Sequence, residues 1–168
     1  MKSLPHATAF LCAGVLASFT TTAAYARGPA DIIHDPAEIG LSLPGKMARS
    51  LKEERVLTTP AGQGNEAIVA RTTRAPGTRT PLHLHEHGGT TCVLEGEMTL
   101  FMEGERPRRA VAGECYFMPA GKAMAGANTG TVNAVMLDVF TVPAGKPVWT
   151  VVESAGRELQ NQFDTPSH

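Results

Sequence analysis

Glycine and proline constrain this chain more than any other feature. From Arg55 onward they cut it into short runs: "RVLTTP" (55–60), "EAIVARTTRAPG" (66–77), "TPLHLHEH" (80–87), "TTCVLEG" (90–96), "EMTLFMEG" (97–104), "RRAVAGECYFMPAG" (108–121), "VNAVMLDVFTVPAG" (132–145) and "PVWTVV" (147–152). Strands this short, with Gly and Pro turns between them, predict an antiparallel β-sandwich or barrel. Gly96 is expected to close a hairpin between its two flanking runs, and Gly113 to separate two further strands. Residues 28–50 have no clear period and read as an arm or loops. The stretch after Glu153 reads as a short helix or a frayed tail. At 168 residues the chain suits one domain with a real core.

The first residues read as a targeting segment. Lys2 is followed by the apolar "ATAFLCAGVLASF" (7–19) and then by small residues up to Ala26. Ala24 and Ala26 fit an A-x-A cleavage site before Arg27. The apolar run is short for a bilayer span; an uncleaved anchor is the alternative. No twin-arginine pair occurs. The reading is an exported protein, periplasmic or secreted, with no membrane span in its mature form. The chain then divides into a signal peptide (1–26), an N-terminal arm (27–50), a β-barrel domain (51–153) and a tail (154–168).

Lys2 is the only Lys, Arg, Asp or Glu in the removed segment, so the formal charge of −1 becomes 14 − 16 = −2. A charge near zero, no block of like charge and few aromatics argue against a nucleic-acid partner. Export also bears on Cys92 and Cys115. An oxidising compartment permits them to pair; the alternative is two small buried hydrophobes.

The chemistry concentrates in "HLHEH" (83–87). On a strand, side chains at i and i+2 share a face. His83 and His85 therefore converge, as two ligands of one ion must, with Leu82 and Leu84 on the opposite face. His87 joins them only if the strand continues, and Gly88-Gly89 argues that it stops. Gly77 precedes His83 by six positions, and Gly96 follows His85 by eleven. Further on come Gly113, Pro119, Gly121 and Asn128.

With these positions the chain resembles the cupin superfamily, whose motifs are G-x5-H-x-H-x(3–4)-E-x6-G and G-x5-P-x-G-x2-H-x3-N. The resemblance runs through the motif positions from Gly77 to Asn128, and the flanking strands extend it over roughly 55–152. It implies an all-β fold: a single double-stranded β-helix, the jelly-roll barrel of that family, here with an N-terminal arm. It also implies a homodimer, for which residues 27–50 are the natural swapped arm. The chain departs from the pattern at two of the four usual ligands. The family's Glu falls at Gly89 or Thr90, and its last His at Met124.

Three readings stay open for the site. His83 and His85, with Met124 as a soft ligand, would suit copper, above all Cu(I). His83 and His85 completed by His87, water or substrate would hold Mn, Fe, Ni or Zn and leave open positions for a small substrate, as in a dioxygenase-like oxidoreductase. The third is a metal-free cupin that keeps a small-molecule pocket, with Met124 as apolar filling. Thr91, Val93, Leu100, Phe117 and Asn128 are the expected pocket residues. No Asp or Glu is placed in the cavity, so no general base is identified. Arg71, Arg74 and Arg79, around the Pro76-Gly77 turn, read as solvated loop charge, with steering of an anionic substrate as the alternative. No G-x-S-x-G elbow, phosphate loop, dinucleotide fingerprint or C-x-x-C occurs.

Overall fold

The computed structural model describes residues 27–28 and 31–162. The signal segment read over 1–26 and the last residues of the tail lie outside the described residues. In chain order the strands are β1 (Lys46–Met47), β2 (Lys52–Gly62), β3 (Asn65–Arg74), β4 (Thr78–Arg79), β5 (His83–Leu84), β6 (Gly89–Glu95), β7 (Glu97–Met102), β8 (Arg108–Val111), β9 (Cys115–Met118), β10 (Met124–Ala127), β11 (Ala134–Pro143) and β12 (Thr150–Val151). Short 3-10 helices cover Pro36–Ile39 and Ser154–Gln162.

The strands form two sheets. The first pairs β2, β3, β11, β6 and β9 in that order, antiparallel throughout. In the second, β10 pairs along one edge with β7, which continues to β8. Its other edge is shared end to end by β4, opposite Ala127, and β5, where Met124 faces His83. β1 joins β4 in parallel and β12 joins β5 antiparallel. The sheets close over one apolar core that takes Ile68, Val93, Met136 and Phe140 from the first and Met98, Leu100, Met124 and Val151 from the second. This is the curled two-sheet barrel expected of a jelly roll.

Period-two alternation decides what enters that core. In β11, Met136, Asp138, Phe140 and Val142 are buried, while Val139 and Thr141 are exposed. In β3 the buried set is Ile68, Ala70, Thr72 and Arg74. A second cluster sits on the outer face of the other sheet. Leu82, Leu84, Ala123, Ala125 and Val152 pack there beneath Ile33 and Leu41 of the arm. Each such buried Leu or Ile contributes about 1.5–3 kcal/mol relative to exposure.

Several expectations from the sequence need correction. The run over 80–87 is a strand only at His83–Leu84. Its end is a turn in which the Gly88 N–H donates to His85 O at 3.3 Å. Gly96 does not close a hairpin: β6 and β7 belong to different sheets, and the glycine is the corner between them. Its φ is +71°, and a Cβ there would lie 2.6 Å from Asn133 O, so only glycine fits. β10, "MAGA", lacks the β-branched residues that favour strands, and it is a strand through its pairing with β7 and β5.

The segment 27–50 is more than loops. Arg27 donates twice to Glu103, at 2.9 Å each, and Ile33 N–H bonds Val152 O at 2.8 Å. In this chain the segment docks on its own barrel. Cys92 and Cys115, directly opposed in β6 and β9, form a disulfide, which closes the question the sequence left open.

Candidate functional site

β5 is two residues long, and its alternation sends His83 into the barrel and Leu84 to the arm side. His83 and His85 are 5% and 3% exposed. His83 Nδ1 lies 2.9 Å from Pro81 O, and His85 Nδ1 lies 2.7 Å from Val148 O. A carbonyl only accepts, so both rings must carry their proton on Nδ1. Both Nε2 atoms therefore present bare lone pairs, and they face each other at 3.2 Å. Burial, and then the charge that a neighbouring imidazolium would bring, holds His83 well below the usual histidine range. Burial brings His85 down to about 4. The pair is neutral at neutral pH.

The rings are fixed from the sides. Trp149 meets His83 edge-on at a centroid distance of 4.6 Å, and Phe140 stacks on His85 at 5.0 Å. Gln160 of the C-terminal 3-10 helix latches the Trp149 segment: its backbone O accepts from Trp149 Nε1 at 3.2 Å, and its side-chain N donates to Trp149 O at 2.9 Å.

The histidines open onto a cavity of about 50 Å³ inside the barrel. Its apolar wall is Met98, Leu100, Met118, Met136, Phe140 and Trp149, with Gly126 beside them. Its polar wall is Thr72, Arg74, Thr80, Thr91, Tyr116 and Asp138. Thr72 donates to one oxygen of Asp138 at 2.8 Å, and Thr91 to the other at 2.6 Å. Burial raises the Asp138 pKa against the pull of those two hydroxyls and of Arg74. Burial, then the charge of Asp138, pushes the Tyr116 phenol above its usual range. Burial also disfavours the charge on Arg74, yet a guanidinium stays protonated in proteins.

Of the residues singled out in the sequence, His83, His85, Thr91 and Leu100 meet on the cavity wall. His87 is exposed on the turn after β5. Met124 is fully buried opposite His83, within the core and outside the wall set. Val93 is also core. Phe117 is 60% exposed, because the alternation of β9 turns Tyr116 and Met118 inward instead. Asn128 is structural: its side-chain N donates to Arg74 O at 2.9 Å and Val132 O at 2.8 Å. Gly89, one of the two positions where the family's carboxylate falls, has little room for a side chain: a Cβ would lie 2.5 Å from the Phe140 ring.

Apart from Thr91, sequence reasoning missed the polar wall. Arg74 and Arg79 are 2% and 9% exposed, not solvated loop charges. Arg79 forms a two-pronged ion pair with Glu153 at 2.8 and 2.9 Å. The signal for Asp138 was available, since it alternates with Met136 and Phe140 on one face of β11.

Among the described residues no group of three or more His, Cys, Asp or Glu side chains could hold a metal ion. The donors that do converge are the two Nε2 atoms. Both lone pairs are aimed into the same space, so His83 and His85 are the residues that would hold an ion there.

Residues 70–140 match the family model of the cupin domain. The chain is similar to a cupin-like protein from Thermotoga maritima, with 18% identity, 68% of this chain and 85% of that one covered, and a TM-score of 0.52. It is also similar to a DMSP lyase from Ruegeria pomeroyi, with 26% identity, 48% of this chain and 45% of that one covered, and a TM-score of 0.41. An oxalate oxidase gives 26% identity, 51% and 46% coverage, and a TM-score of 0.45. The chain thus spans about half the length of these last two proteins. No curated protein matches the chain.

Proposed function

Residues 70–140 form a cupin domain, and from that fold we propose that its barrel holds one transition-metal ion on His83 and His85 and binds a small oxygen-bearing molecule beside it. The observation that carries this reading is the pair of buried, neutral imidazoles whose Nε2 lone pairs face each other at 3.2 Å. Two lone pairs in that position repel, and a shared cation relieves them. A proton could do the same, but burial disfavours an imidazolium there. When bound, the ion would act as a Lewis acid or redox centre for the small molecule. The chain's own residues do the rest. The Pro81 and Val148 carbonyls fix both tautomers. Trp149 and Phe140 hold the rings and exclude water. The polar wall around Asp138 orients the ligand.

Mn, Fe, Ni or Zn fits an oxidoreductase-type site with open positions. A second reading, Cu(I), is favoured by the thioethers of Met98, Met118 and Met136 on the same wall. Met118 is the pertinent one, since its methyl lies 3.2 Å from where a Cβ at Gly89 would stand. An exported setting belongs to the same proposal. It is supported by Ala24-x-Ala26 ahead of Arg27 and by the Cys92–Cys115 disulfide.

Elemental analysis tests this on protein purified from its own compartment without chelator or His tag, beside the double variant His83→Ala/His85→Ala. About one ion per chain is expected in the first and only background in the second, and its identity separates the copper reading from the other. Equal metal in both proteins, or none in either after each ion is added back, sinks the proposal.

A further inference from the structure

The wall of the cavity away from the histidines is built around Asp138. Each of its oxygens already accepts one threonine hydroxyl, from Thr72 and Thr91. Those hydrogens are spent, so the two threonines have only lone pairs left to offer. Two N–H groups of Arg74 are committed to Ala48 O at 3.0 Å and Ser50 Oγ at 3.2 Å. Among the described residues no cation is ion-paired with Asp138. A carboxylate oxygen that accepts one hydrogen bond keeps capacity for another. Asp138 is therefore an unfilled acceptor on this wall, beside donors that Arg74, with five N–H groups, and the Thr80 hydroxyl still carry.

Charge narrows the ligand further. An anion would meet the Asp138 carboxylate, and a cation would meet the buried Arg74 guanidinium. Size narrows it again, because about 50 Å³ is room for about four waters. We propose that the cavity takes a compact uncharged molecule that donates a hydrogen bond from a hydroxyl or an amide N–H to Asp138. The inference rests on the cavity being the ligand site, but not on the ion.

Acetamide and acetate test it, each having four heavy atoms in the same shape and making opposite demands. Each is titrated into chelator-treated protein and followed by amide chemical shifts, with Thr91 and Tyr116 as reporters of this wall. Acetamide is expected to bind about tenfold more tightly than acetate, the scale of one hydrogen bond to a charged group. Asp138→Asn should reverse the preference, because its amide can donate to acetate. If that variant does not fold, the wild-type comparison still decides. Equal affinities, tighter acetate, shifts confined to residues away from this wall, or no binding by either compound would overturn the inference. Acetamide selectivity in a protein that never takes up metal would retire the ion alone. Stoichiometric metal without that selectivity would retire only the role of Asp138.

Discussion

Two buried carboxylates stand on opposite sides of the same barrel, and they have opposite surroundings. Glu153 lies under the arm. Its oxygens take both prongs of Arg79 and the Leu82 N–H at 2.7 Å. Burial works against its charge, but those bonds outweigh it and its pKa falls below the usual range. Asp138 lies in the cavity with two neutral hydroxyls and a cation at a distance, and its pKa is raised. The first region is saturated, and its polar groups hold backbone in place. The second is left short of donors, which suits a place where something else binds. The two faces of "LHLH" repeat the contrast: Leu82 and Leu84 fill the seam beneath the arm, and His83 and His85 border empty space.

The largest break in this comparison should come from Glu153→Gln. It leaves the Arg79 guanidinium buried without its partner, which costs about 3–5 kcal/mol. For a domain of this size that is roughly a 10 °C fall in melting temperature. The Glu153 side chain also holds the backbone just before His83, because its Oε2 accepts the Leu82 N–H. Chemical denaturation of the variant checks the figure. A loss below about 1 kcal/mol, the range of exposed ion pairs, would mean that the pair is not buried in solution.

A smaller effect separates the two faces of the sheet. Leu84→Ala opens a void in the packed seam and should cost about 2–5 kcal/mol. Leu100→Ala should cost about 2 kcal/mol or less, because Leu100 borders the cavity and a side chain facing a void lacks contacts on that side. Urea unfolding of both variants gives the order. A costlier Leu100→Ala would say that the cavity is filled, by ligand or by collapse.

The seam was legible in the sequence and the cavity only in part. Alternation alone placed Leu82 and Leu84 opposite His83 and His85, and Gly and Pro punctuation gave an all-β barrel. What sequence spacing could not give was which sheet each short strand joins. Gly96 looks the same at a hairpin and at a corner between sheets. Arg74 and Arg79 flank a Pro-Gly turn, where exposed arginines are common. Their burial depends on Ala48, Ser50 and Glu153, which are far away along the chain. Phe117 was assigned inward by its hydrophobicity, yet the phase of a four-residue strand is set by its partner β6. Asp138 is legible in "VMLDVF" only through its phase with Met136 and Phe140, since a lone carboxylate by itself reads as an outward residue.

The smallest change in stability at neutral pH should come from Asp138→Asn, and its informative part is the pH dependence. The amide keeps the shape and removes a charge that the cavity does not fully compensate. Near pH 7 the variant should stand within about 1 kcal/mol of the parent. The sign with pH follows from the raised pKa of Asp138. Below the unfolded aspartate value of about 3.9, both states of the parent are protonated and Asp138 contributes nothing. As pH rises past that value the unfolded chain ionises first, so the parent loses stability until the folded carboxyl ionises too. Asparagine does not titrate, so the stability of the variant relative to the parent should climb over this window and then level off. Glu153 runs the other way in both proteins: its contribution is present above the unfolded glutamate value and is lost as pH falls through its lowered folded value. It cancels in the difference. Urea unfolding of parent and variant across the carboxylate range measures that difference directly. A gap that narrows with rising pH would place Asp138 among compensated carboxylates like Glu153, and the contrast between the two sides of the barrel would fall.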